Sequence, residues 1–129
     1  MAYFKDMNDH CQFRLQGGSI RAIGWLSFYV SYPKGIVSSL RDLLTVRLQH
    51  SLKTDLCMGH HVCEFCYYEA NPGTRISLGD EIFIHDYPAG NGALIIPGKH
   101  HLFVAPTLIS HYIETHQYRP PDEFIAALL

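Results

Sequence analysis

Hydrophobic positions along the chain repeat at two different periods. Phe13 and Leu15 alternate with polar residues, which suits a short strand, and Gly17-Gly18 reads as the turn after it. From Ile20 to Tyr32 the chain is dense in β-formers, with Ile20, Ile23, Trp25, Leu26, Phe28, Tyr29 and Val30. This predicts a strand bent at Gly24, with Trp25 as a core anchor. Tyr32-Pro33-Lys34-Gly35 breaks it. The period then lengthens over Ile36 to Leu52, where Ile36, Val37, Leu40, Leu43, Leu44 and Leu48, with the stem of Arg47, fall at i, i+3, i+4 and i+7. That is the stripe of an amphipathic helix packed on a body, with Arg41, Asp42 and Gln49 on its other side.

The second half returns to short alternating runs. Asn71-Pro72-Gly73 is a turn signal. Arg75 to Leu78 and Glu81 to His85 alternate around Gly79-Asp80, and Ala93 to Pro97 and His101 to Ala105 are apolar runs separated at Pro97-Gly98. These predict three or four antiparallel strands. Pro106 suits the first turn of a helix running to about Gln117. Pro120-Pro121 ends it. Asp122 and Glu123 then start a last short helix, docked by Phe124, Ile125 and Leu128. The expected fold is α+β: a small antiparallel sheet with two main helices and a short C-terminal one. With 129 residues, no repeat and no long linker, one domain spanning 1–129 is expected.

Charge narrows the partners. The formal net charge is −2 and Lys and Arg are not clustered, which argues against a nucleic-acid module. No run approaches the roughly 18 apolar residues of a membrane span. Met1 to Arg14 carries charges and no apolar stretch, so a cytoplasmic, reducing setting is expected. In that setting, neighbouring cysteines among histidines point to metal rather than to disulfides.

The four cysteines are Cys11, Cys57, Cys63 and Cys66, and there are nine histidines. Cys63-Glu64-Phe65-Cys66 is a C-x-x-C, a spacing at which a tight turn aims two thiolates at one ion. His61 lies two residues before Cys63 and shares its side of an extended segment. Thiolates with imidazole form a zinc set rather than a magnesium or calcium set. A redox pair would want the motif at a helix N-terminus after a strand, and Met58 to Val62 does not resemble a thioredoxin-type strand.

The fourth ligand is expected from another element, since that staples the fold better than Cys57 would. His111 and His116 are the candidates. On a regular helix they sit about 140° apart in projection, so one of them is expected to bind and the other to support it. His10, His50, His60, His85, His100 and His101 read as ordinary loop or surface histidines, although His60 is an alternative to His61.

Three stretches together resemble a family of small, uncharacterised bacterial proteins. They are Ile23-Gly24-Trp25-Leu26, then Gly59-x-His61-x-Cys63-x-x-Cys66, then Ala105-Pro106-x-Leu108-Ile109-x-His111-Tyr112-Ile113-x-x-His116-x-Tyr118-x-Pro120-Pro121-x-x-Phe124. The resemblance implies that these cysteines and histidines are the family's signature group, and it implies no activity.

A closed site of two cysteines and two histidines has no open position for a substrate. The expected role is therefore a zinc-stabilised domain that binds a partner protein. Tyr67, Tyr68, Tyr87, Tyr112 and Tyr118 are a candidate aromatic surface, or else tyrosines at the rim of the core. The alternative is a zinc-dependent hydrolase, for which Glu64, Glu69 and Glu114 are candidate general bases. The His-x-Glu and Pro-Cys-x-x-Cys signatures of zinc deaminases are absent.

Overall fold

A computed structural model of the chain describes residues 5–7, 20–54, 60–73 and 87–129. Its elements run β1 (Ile20–Ala22), α1 (Ser38–Gln49), β2 (Leu52–Thr54), β3 (His60–Val62), α2 (Glu64–Ala70), β4 (Ala89–Asn91), β5 (Ala93–Pro97), β6 (Leu102–Pro106), α3 (Ile109–His116) and α4 (Asp122–Leu128). This is an α+β fold, as the patterning predicts. The strands expected at 13–15, 75–78 and 81–85 lie outside the described residues.

The main sheet has the order β1-β6-β5-β2, and β3 pairs separately with β4. The hairpin of β5 and β6 is antiparallel, with Ile95 opposite Val104, and closes through the Gly98 amide donating to the His101 carbonyl. The pairing β2–β5 is antiparallel as well. One pairing departs from the expected antiparallel sheet: β1 lies parallel to β6, with Arg21 opposite Phe103. The chain leaves β1, forms α1 and the following elements, and only then supplies β6. That long route is what a parallel pairing requires.

The alternation of β6 sorts its side chains between two faces. Phe103 and Ala105 enter the main core with residues of α1, α3 and α4. Val104 points the other way, into a smaller cluster with Ala22, Trp25 and Ala93. The expected long strand through Tyr32 stops at Ala22 because Gly24 turns the chain. Its φ is +77°, a left-handed conformation that an alanine resists. On either side of that turn, the Ile23 amide and the Trp25 indole N–H both donate to the Val104 carbonyl, at 3.0 and 2.9 Å. A carbonyl oxygen has two lone pairs, so one acceptor serves both donors.

Asp6 closes the same corner. Its carboxylate accepts from the Gly24 amide at 3.0 Å and from the Tyr118 hydroxyl at 2.7 Å. Burial holds the Asp6 carboxyl above its usual range, and these two donors pull it part of the way back.

α1 buries a narrower stripe than its sequence suggests. Leu44 and Leu48 are in the core with Leu40 packed against it, whereas Val37 and Leu43 face solvent. The line i, i+4, i+8 meets α3 and α4. Leu43, one residue and about 100° away from Leu44, is turned off it. Pro106 ends β6 instead of opening a helix, and α3 starts three residues on, at Ile109. A proline at the end of a strand forfeits no interior ladder bond. α4 forms where expected and buries Phe124, Ile125 and Leu128.

A Cβ on residue 24 would stand 2.8 Å from Ile109 Cδ1. Gly24→Ala therefore combines a left-handed alanine with overpacking against α3. It is expected to lower unfolding stability by about 2–4 kcal/mol in urea titration. A loss below 1 kcal/mol would show that the corner tolerates a side chain.

Candidate metal centre

The strand β3 delivers the chain to Cys63, which is the extended N-cap of α2 (φ −69°, ψ 108°). Cys66 lies in the first turn of that helix. A cap residue and the third residue after it face each other across the first turn, so both sulfurs point to the same side. The C-x-x-C thus occupies a strand-to-helix junction, contrary to the expectation from Met58 to Val62. That is the position a redox pair takes, but burial disfavours the Cys63 thiolate. The Cys63 thiol is pushed up to about 12, chiefly by burial and further by Cys66, against the opposing pull of the Phe65 and Cys66 amides. A reactive thiol needs the opposite shift.

α3 brings its two histidines to the same point. Cys63 Sγ lies 3.4 Å from His116 Nε2, and Cys66 Sγ lies 3.3 Å from His111 Nε2 and 3.4 Å from His116 Nε2. The two imidazole Nε2 atoms are 3.2 Å apart. All four donor atoms lie within 4.8 Å of one another, a set that can hold a metal ion. Direct hydrogen bonds do not account for the cluster. A ring nitrogen offers one lone pair or one N–H, and His116 Nε2 faces three neighbours at once. A cation at the centre satisfies every donor together.

Both histidines sit on α3, His111 as its third residue and His116 as its last residue before a left-handed cap. The Gln117 and Tyr118 amides donate to the Tyr112 carbonyl, five and six residues back instead of four. Such bonds close a helix at a left-handed residue. Gln117 stops the helix in the left-handed region (φ 56°). The Tyr32 hydroxyl donates to the His116 carbonyl at 3.0 Å, and the Phe65 ring lies 5.1 Å from the His116 ring. At His111, Thr115 Oγ1 sits 3.4 Å from Nδ1 and can accept its proton, leaving Nε2 aimed at the sulfurs. Thr115 is readable in hindsight as the i+4 neighbour of His111. Tyr32 carries no such signal.

The backbone of His61 forms β3 opposite Gly90, while its side chain and that of His60 lie outside the described residues. Four donors are assembled without either. Cys11, Cys57, His10 and His85 also lie outside the described residues. His50 and His100 are exposed, and His101 faces Glu123 at 3.6 Å. Of the acids considered as general bases, Glu64 accepts from the Phe28 amide at 3.0 Å, and Glu69 and Glu114 are exposed. Tyr112 and Tyr118 are fully buried, so they belong to the core and not to a recognition surface.

The family described as a domain of unknown function, DUF7919, matches residues 2–129, and the chain belongs to that family. No curated protein and no solved structure matches the chain. Among the described residues, no helix is long and apolar enough to cross a membrane.

Burial lowers the affinity of both imidazoles for protons. His116 adds to the effect at His111, and Lys34 adds to it at His116 against an opposing pull from Glu69. Both rings are therefore neutral at pH 7, while the Cys63 thiol holds a proton that a metal would displace. Adding a thiophilic divalent ion at neutral pH should acidify a weakly buffered solution. Affinity should fall on acidification by about tenfold per pH unit for each thiol proton displaced. Calorimetry in buffers of different ionisation enthalpy measures this, and a pH-independent affinity would contradict it.

Proposed function

We propose that Cys63, Cys66, His111 and His116 bind one structural zinc ion, and that the domain it holds together acts by binding a partner protein. The observation that carries the zinc reading is the size of the donor tetrahedron. With Zn–S near 2.3 Å and Zn–N near 2.05 Å, a regular tetrahedron has N···N edges of about 3.3 Å and S···N edges of about 3.6 Å. The corresponding separations are 3.2 Å for the nitrogens and 3.3–3.4 Å for the sulfur–nitrogen pairs. These four edges lie close to zinc-shell values and the other two are within 4.8 Å, which supports the zinc reading. Two thiolates favour zinc over magnesium, calcium or manganese.

Four protein donors complete a tetrahedron and leave no position for a metal-bound water, which supports a structural ion over a hydrolytic one. The two pairs lie on different helices, 45 residues apart at the closest. Binding energy at the site is therefore folding energy for the contact between α2 and α3. A domain so stapled, without a substrate position at its metal, is suited to presenting a surface.

Purified protein should contain one zinc per chain by elemental analysis, and cobalt substitution should give the absorption of a tetrahedral S2N2 site. Cys63→Ser should lose the metal and melt well below the parent. Metal-free protein should regain the parent melting temperature when zinc is added. One zinc with three protein ligands and a bound water would overturn the structural reading. An unchanged melting temperature and zinc content in Cys63→Ser would overturn the site.

A further inference from the structure

The two middle residues of the C-x-x-C turn away from the ion and build the neighbouring surface. Glu64 accepts the Phe28 amide at 3.0 Å and so fixes the turn after Leu26. Phe65 is buried and packs edge-on against Tyr32 at 5.2 Å and tilted against Phe28 at 6.1 Å. Above this floor, three consecutive apolar residues face solvent: Phe28 is 41% exposed, Tyr29 63% and Val30 39%. Folding alone does not reward such a run, since each residue leaves apolar surface in water. Tyr68 supports it from below, with ring centroids 4.8 Å from Phe28 and 5.7 Å from Tyr29.

The turn and the floor enclose a cleft of about 440 Å³, whose lining includes His116 of the metal cluster. Its polar lining is of both signs: Lys34 and Glu69 are both exposed at the cleft. The Lys34 ammonium stands 5.0 Å from the centre of the Tyr32 ring, so an aromatic wall holds it at the cleft. A flat apolar group fits the aromatic walls, an acid complements Lys34 and a base complements Glu69.

We propose that this cleft docks a peptide segment of the partner protein, one with an aromatic side chain between an acidic and a basic residue. The inference rests on the partner-binding reading above, and it adds the surface and the chemistry of the ligand. The metal loop has two linked duties. Its cysteines hold the ion, while Glu64 and Phe65 hold the recognition turn.

The test uses the full chain after its zinc content has been measured. The probes are N-acetyl-Glu-Trp-Lys-amide and N-acetyl-Lys-Trp-Glu-amide, with alanine in place of tryptophan, and glutamine in place of both charged residues, as controls. Amide shifts on titration with at least one tryptophan probe should concentrate at residues 28–34 and 65–69. The alanine control should leave them unmoved, and the glutamine control should bind at least threefold more weakly. Tyr29→Ala, at an exposed position, should keep the parent melting temperature and weaken the better probe about tenfold. Lys34→Glu should weaken it as well.

Equal shifts from tryptophan and alanine peptides, shifts scattered over the surface, or no advantage over the glutamine control would overturn the proposal. A zinc-loaded protein that binds neither probe would sink this surface and leave the staple standing. Localised binding by protein that holds no zinc would support the surface and sink the staple.

Discussion

The convergence of two sulfurs and two imidazole nitrogens is the constraint on which the rest of the structure hangs. The sulfurs come from the start of α2 and the nitrogens from the last turns of α3. Without an ion, a buried thiol, its half-buried neighbour and two close imidazoles are a costly cluster, since no arrangement of protons satisfies every contact. With one, the same four groups become a bond network across the fold. The cost and the gain share one geometry, so the arrangement of α2 and α3 reads as built for a metal.

Several features serve that geometry at a distance. His116 is the last residue of α3, and the left-handed Gln117 ends the helix directly after it. Tyr32 holds the His116 carbonyl. Tyr118, just beyond, is anchored by Asp6, which also holds the amide of Gly24. Gly24 in turn lies against Ile109 at the start of α3. Both ends of that helix are therefore fixed by contacts from the N-terminal part of the chain. This accounts for the distance in sequence between the Gly24 turn and the metal loop, despite their dependence on the same helix.

The C-x-x-C joins the four-donor cluster to the neighbouring surface within four residues. Glu64 faces the Phe28 turn and Phe65 lies under it, while the cysteines on either side face His111 and His116. The general bases sought in the sequence have other placements: Glu64 is spent on a backbone amide, and Glu69 lines the cleft.

The sequence by itself determined much of the local structure. Periodicity found α1, α4 and the β5–β6 hairpin, because amphipathic spacing and turn residues act over a few neighbours. Residue chemistry and spacing singled out Cys63 and Cys66, and both His111 and His116 as candidates. Only the tertiary structure decided that the two histidines lie together beside the cysteines. On a helix the two lie about 140° apart in projection, and where each imidazole ends up depends on contacts such as those of His116 with Tyr32 and Phe65. The parallel pairing of β1 with β6 was hidden for the same reason, since nothing local records which distant strand will lie alongside. The exposed face of Phe28 and Tyr29 was read as strand because composition reports β-forming tendency and not which side meets water. Pairing, exposure and the closing of the metal shell are set between segments far apart in the chain, where packing and not local preference is decisive.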